Sequence, residues 1–129
     1  MKWIGQHIYD LISRFRNTVY FESDVNFNTD TVTFESTSAD DPCIIVKNTT
    51  DDNQASRLQF QKLRADDGVA TGQNLGEIWF SGQDSAQNTE DYAYIIGEID
   101  VSTGGQESGQ LVLGVASHNG ANQTGLTLV

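Results

Sequence analysis

The ten residues Tyr92 to Val101 alternate as a β-strand does, yet both resulting faces carry apolar side chains. One face reads Ala93, Ile95, Gly97, Ile99 and Val101; the other reads Tyr92, Tyr94, Ile96, Glu98 and Asp100. Side chains on a strand point to opposite sides with a period of two, so a strand with one solvated face alternates cleanly between apolar and polar. This strand therefore needs cover on both sides, from the rest of the chain or from a neighbouring protomer. Its neighbours are also strand-like. Leu75 to Ser81 sets Ile78 and Phe80 against Glu77 and Trp79, Gln110 to Ser117 follows the Gly104-Gly105 turn, and Leu126 to Val129 reads as a last strand. Short strands joined by polar turns predict an antiparallel β-meander or sandwich.

Upstream the strand signals are shorter. Thr18 to Glu22 is β-prone, and Val25 to Phe27 and Thr31 to Phe34 flank an Asn28-Thr29-Asp30 turn, as in a small hairpin. Ser36 to Pro42 is a polar loop, Cys43 to Lys47 an apolar strand, and Asn48 to Ser56 an exposed loop with nothing apolar larger than Ala. From Arg57 to Leu63, Leu58 and Phe60 alternate with Gln59 and Gln61. The expected organisation is a helix over 1–17, a hairpin and connecting strand over 18–56, and an antiparallel β-body over 57–129.

The helix is read from Trp3 to Arg16, where Ile4, Ile8, Leu11, Ile12 and Phe15 form one apolar stripe at a 3.6-residue period. An isolated helix this short is marginal in water, so it must dock. Three destinations are open: the chain's own sheet, a membrane surface recognised through Lys2, Trp3, Arg14 and Arg16, or sister helices and other components of an assembly. The last is preferred, because Asp10 dilutes the basic charge and the remaining chain is acidic. Trp3, Ile4, Ile8, Leu11, Ile12 and Phe15 are thus the candidate oligomerisation and attachment residues.

Charge separates the two ends. Residues 1–16 hold three basic side chains and one acidic; the remainder holds four basic and 17 acidic, for a net charge of −11. A surface of that sign repels phosphate backbones, so no nucleic-acid partner is expected. No apolar run approaches the ~20 residues that span a bilayer, and Asp10 and Arg14 interrupt any signal-peptide pattern. No membrane partner is expected either. Apolar residues make up 37% of the chain, so little is available for a private core, and part of the apolar surface should be buried against other chains.

Carboxylates are the plentiful reactive groups. Glu77, Asp84, Glu98 and Asp100 lie on or beside the strongest strands, and paired acids can cleave glycosides. Solvated outward positions explain them as well, and no spacing is diagnostic. Trp79, Tyr92 and Tyr94 could form an aromatic platform for a sugar. The pairs Asp40-Asp41, Asp51-Asp52 and Asp66-Asp67 lack the pattern of a calcium loop. One Cys with His7 and His118 gives no zinc spacing, and the glycines lack the Lys of a phosphate loop. Cys43, in the run Cys43-Ile44-Ile45-Val46, is expected to be a buried structural thiol. The expectation is a protein without catalytic residues, metal or cofactor.

Two stretches carry a resemblance. The opening MKWIGQHIYDLISRFRNTVYFE resembles the N-termini of structural proteins of marine tailed bacteriophages. The segment from Arg57 onward, with Leu75-Gly76, Ile78, Phe80 and Gly82, then Tyr92-Ala93-Tyr94-Ile95 and Leu111 to Leu113, is similar to a strand-turn pattern of phage tail-fibre and tailspike proteins. The likeness covers roughly residues 1–22 and 57–129. It implies an intertwined homotrimeric, β-prism-like body on a virion, made in the host cytoplasm, with the N-terminal part contacting other virion proteins. It leaves room for a host-surface glycan as ligand, or for a piece of a polysaccharide-cleaving tailspike, and it carries over no catalytic residue. Fibres of this kind usually run longer, so both a compact member and a piece of a longer fibre fit.

Overall fold

A computed structural model describes residues 15–64, 70–118 and 121–129. The chain divides into two compact units, 1–45 and 46–129. The second unit contains a four-stranded antiparallel meander of β1 (Asn74–Gln83), β2 (Thr89–Val101), β3 (Ser108–Ala116) and β4 (Asn122–Leu128), each strand beside the next in sequence. The protein is mainly β, and no helix occurs among the described residues.

The turns have local causes. Between β2 and β3 the Gln106 N–H donates to the Thr103 carbonyl at 2.9 Å, with Gly105 at φ +79°. That is the position of a type II turn that requires a positive φ, which glycine adopts without strain. Between β1 and β2, Asp84 closes the loop through its own carboxylate, described below. Between β3 and β4 the Ser117 N–H donates to the Ala121 carbonyl at 2.7 Å. Pairing also extends ahead of β1, where Gly72 N–H donates to Ile99 O and Ile99 N–H to Gln73 O.

Register sorts the side chains into two faces. One face has the row Ile78, Ile95, Leu113 and Leu126, flanked by Phe80, Ala93, Val115 and Gln123 on one side and Gly76, Gly97, Leu111 and Leu128 on the other. The opposite face has Trp79, Tyr94, Gly114 and Thr124 in one row and Glu77, Ile96, Val112 and Thr127 in the next. Four residues stand outside the pairing as bulges: Leu75, Tyr92, Asp100 and Gly125. Burial is sparse. Among the described residues only Tyr94 (9% exposed) and Ile99 (8%) are buried apolar side chains.

The region before residue 65 departs from expectation. The hairpin expected over Val25–Phe34 and the strands expected at Thr18–Glu22, Cys43–Lys47 and Arg57–Leu63 enter no ladder among the described residues. Two strands of three or four residues are marginal alone, and Phe21, Phe27, Phe34, Ile44, Ile45 and Leu58 are all exposed rather than seated on a sheet. For the same reason Cys43 is exposed, not buried. The exposed loop from Asn48 to Ser56 does behave as read. Asn48 Oδ1 accepts from the Thr50 N–H at 2.8 Å, and Asp52 Oδ1 from the Gln54 N–H at 2.8 Å, so side chains bracket their own backbone. Most of the helix stripe (Trp3, Ile4, Ile8, Leu11 and Ile12) lies outside the described residues; Phe15 and Arg16 are described, are not helical, and Phe15 is exposed.

Candidate functional site

A concave feature that joins aromatic rings to hydrogen-bonding side chains lies on the Trp79–Tyr94 face. Trp79 and Tyr94 are direct cross-strand partners, and their rings sit 5.2 Å apart between centroids with a 36° tilt. Aromatic pairs favour such offset or tilted arrangements over a flush sandwich. Both polar handles are already engaged. The Trp79 indole N–H donates to Glu77 Oε2 at 2.6 Å, and the Tyr94 hydroxyl meets Thr124 Oγ1 at 3.2 Å. Beside the rings, Ile96, Glu98, Gln110, Val112, Asn122, Thr124 and Thr127 complete a shallow depression of about 460 Å³. Trp79 remains 41% exposed at its rim.

The structure brings Trp79 and Tyr94 together and leaves Tyr92 apart. Tyr92 is the extra residue of a bulge, its ring beside Gly82 and its hydroxyl 3.5 Å from the Gln83 carbonyl. Gly82 follows Phe80 on the other side of the sheet, so Tyr92 belongs to that side. A second hollow, lined by Asp84, Glu90, Asp91, Tyr92, Ala116, Ser117 and His118, sits at this end.

Glu77 and Glu98 share the Trp79–Tyr94 face, Asp84 and Asp100 lie at opposite ends of β2, and three of the four acids are committed to neighbours. Glu77 accepts from Asn74 Nδ2 at 2.7 Å as well as from Trp79, and these two hydrogen bonds, with a smaller contribution from the charge of Lys62, hold its carboxyl below the usual glutamate range. Asp84 accepts from the Asn88 side chain at 3.0 Å and from the N–H groups of Asn88 and Ala86 at 2.8 Å each, which likewise depresses its pKa. Asp100 Oδ2 accepts from the Ser108 hydroxyl at 2.7 Å. Glu98 alone of the four lines the Trp79–Tyr94 depression. A depressed pKa keeps a carboxylate ionised, the wrong state for a general acid, and Asp84 sits at the loop end of the sheet.

Among the described residues, no three His, Cys, Asp or Glu side chains cluster closely enough to hold a metal ion. Asp66 and Asp67 lie outside the described residues; Asp52 is spent on Gln54 and Thr50. No described helix is long and apolar enough to cross a membrane.

Sequence reasoning missed Gly114 and Thr124. A Cβ at Gly114 would overlap the Tyr94 ring, so this glycine is what lets the ring cross β3 to reach Thr124. The signal was a lone glycine inside a strand, which marks close approach by something without saying by what. No family model, curated protein or solved structure matches the chain.

Proposed function

We propose that this chain is a non-enzymatic structural protein of a tailed-bacteriophage virion, a fibre, collar or surface-decoration component that works as a homo-oligomer. The observation that supports self-assembly is the sheet itself. One of its faces is built from Ile, Leu, Val and Phe, yet Phe80 and Val115 are 53% and 57% exposed and no described side chain is fully buried. A sheet is stable when an apolar face packs on a second layer, and within residues 46–129 no second sheet or helix is described. Sister chains supply that layer, in a sandwich or β-prism-like trimer. The phage assignment rests on the resemblance of residues 1–22 and 57–129, with the amphipathic stripe from Trp3 to Phe15 joining sister helices or a virion socket. Commitment of Glu77, Asp84 and Asp100 to structural hydrogen bonds supports the non-enzymatic reading.

Light scattering on the purified chain tests the assembly: the expected mass is a multiple of 14.2 kDa. A well-behaved monomer at micromolar concentration overturns it. Antibody labelling of phage particles tests the location, and unlabelled particles overturn that part.

The Trp79–Tyr94 depression favours a second reading, a glycan-binding module. Apolar sugar faces stack on aromatic rings while Glu98, Gln110 and Thr127 offer hydroxyl partners. Glycan-array binding lost in Trp79→Ala supports it; no binding by the intact chain removes it.

A further inference from the structure

Resting on the assembly reading above, we infer that copies of this chain meet through the Ile78–Leu126 face of the sheet, and that the Trp79–Tyr94 face stays toward solvent. The three central rows of that face contain no charged residue. The first carboxylate on that side is Glu90, paired with Gly82 at the loop end. The opposite face carries Glu77 and Glu98 beside its aromatic pair. Each copy has a net charge of −11, so two copies repel wherever carboxylates approach, and the charge-free rows are where they can close without desolvating acids.

The size of the surface supports a partner. Half-exposed Phe80, Val115, Leu126 and Leu128, with Ile78 and Leu111, leave on the order of 600 Å² of apolar surface, at the top of what an ordinary monomer shows and close to the roughly 800 Å² each partner buries in a standard interface. Phe60 covers only the glycine end, where it stands over Gly76. The occupant is a second copy, because the row Ile78, Ile95, Leu113 and Leu126 is the same branched surface on each copy and two such faces can pack as the layers of a sandwich, about 10 Å apart. A basic partner would instead be drawn to the acidic face.

The test uses the full chain. Sedimentation should give a multiple of the chain mass for the native protein and for Thr127→Asp, on the opposite face. Val115→Asp should weaken association by roughly tenfold or more, since a carboxylate would be buried without a partner. Should Val115→Asp fail to fold, nitroxide labels decide, placed at Val115→Cys or Thr127→Cys in a Cys43→Ser background. The Val115 label should be immobilised and the Thr127 label mobile. A multimer in which Val115→Asp leaves the mass unchanged, or in which the Val115 label stays mobile, overturns this interface while sparing self-assembly. A native chain that sediments as a monomer overturns both.

Discussion

Tyr94 on β2 lies across Gly114, its paired residue on β3, and its hydroxyl reaches Thr124 on β4 at 3.2 Å. One side chain therefore ties three strands, and it can do so only because β3 has no Cβ beneath the ring. Tyr94 is also one of the two buried apolar residues among the described ones, so the contact sits where the sheet has most to lose.

Gly114→Ala should consequently destabilise the sheet by about 1–3 kcal/mol, the usual cost of forcing atoms into occupied space. Urea denaturation followed by circular dichroism should show a lower midpoint with the β-type spectrum retained. Gly97 is the control, because a Cβ there meets nothing within 4 Å. Equal losses for Gly97→Ala and Gly114→Ala would show that the ring contact is not the cause.

Glu77 makes the environment of Trp79 pH-dependent. Its folded-state pKa is depressed, first by Asn74 and then by Trp79, so its stabilising bonds are intact above the ordinary glutamate range and are lost as pH falls through the lower, folded value. In a Trp3→Phe background, Trp79 emission should therefore change only in acid, with a midpoint below that of a free glutamate. Glu77→Gln should remove the transition. A transition that persists in Glu77→Gln would assign it to another carboxylate.

Asp84 organises the β1–β2 loop with one carboxylate facing three donors, and Gln87 is held at φ +68° within it. Amide exchange at Ala86 and Asn88 should quicken strongly in Asp84→Ala and weakly in Asp84→Asn, which keeps one acceptor oxygen. The same amides should quicken in the native protein as pH falls through the depressed Asp84 pKa, once intrinsic exchange is corrected for.

Alternation made β1, β2 and β3 legible, but not their ends. β2 begins at Thr89 rather than Tyr92, because Thr89, Glu90 and Asp91 are polar and join the ladder only through Gln83, Gly82 and Ser81. The bulge at Tyr92 breaks the period of two, so counting by parity puts Tyr92 beside Tyr94 when it belongs to the Phe80 side. In the sequence β4 is legible only from Leu126, since Asn122 to Gly125 has no apolar residue, Gly125 is a bulge, and Asn122 to Thr124 join the ladder through a register that no apolar pattern marks. Strand propensity misled most in Thr18–Phe34 and Cys43–Lys47, where apolar residues favour a pleated surface but find no partner strand among the described residues. Of the site, the Trp79–Tyr94 pair was visible in the sequence. Its glycine bed and its Thr124 anchor depended on a cross-strand register that no local pattern encodes.

Phe60 supplies the cover that the apolar face does receive from the described segment before β1. It sits so close over Gly76 that a Cβ there would overlap its ring, and it lines a hollow of about 320 Å³ with Leu75, Ile78, Ile95, Gly97 and Leu111. Phe60 remains half exposed, so only part of a buried phenylalanine's stabilisation is at stake, and Phe60→Ala should cost about 1–2 kcal/mol. Gly76→Ala should cost as much by displacing the ring. The double variant is the informative one: if Phe60 and Gly76 act through this contact, Phe60→Ala relieves the overlap and the combined loss falls short of the sum. Additive losses in urea denaturation would mean that Gly76 is required for its backbone rather than for the ring above it.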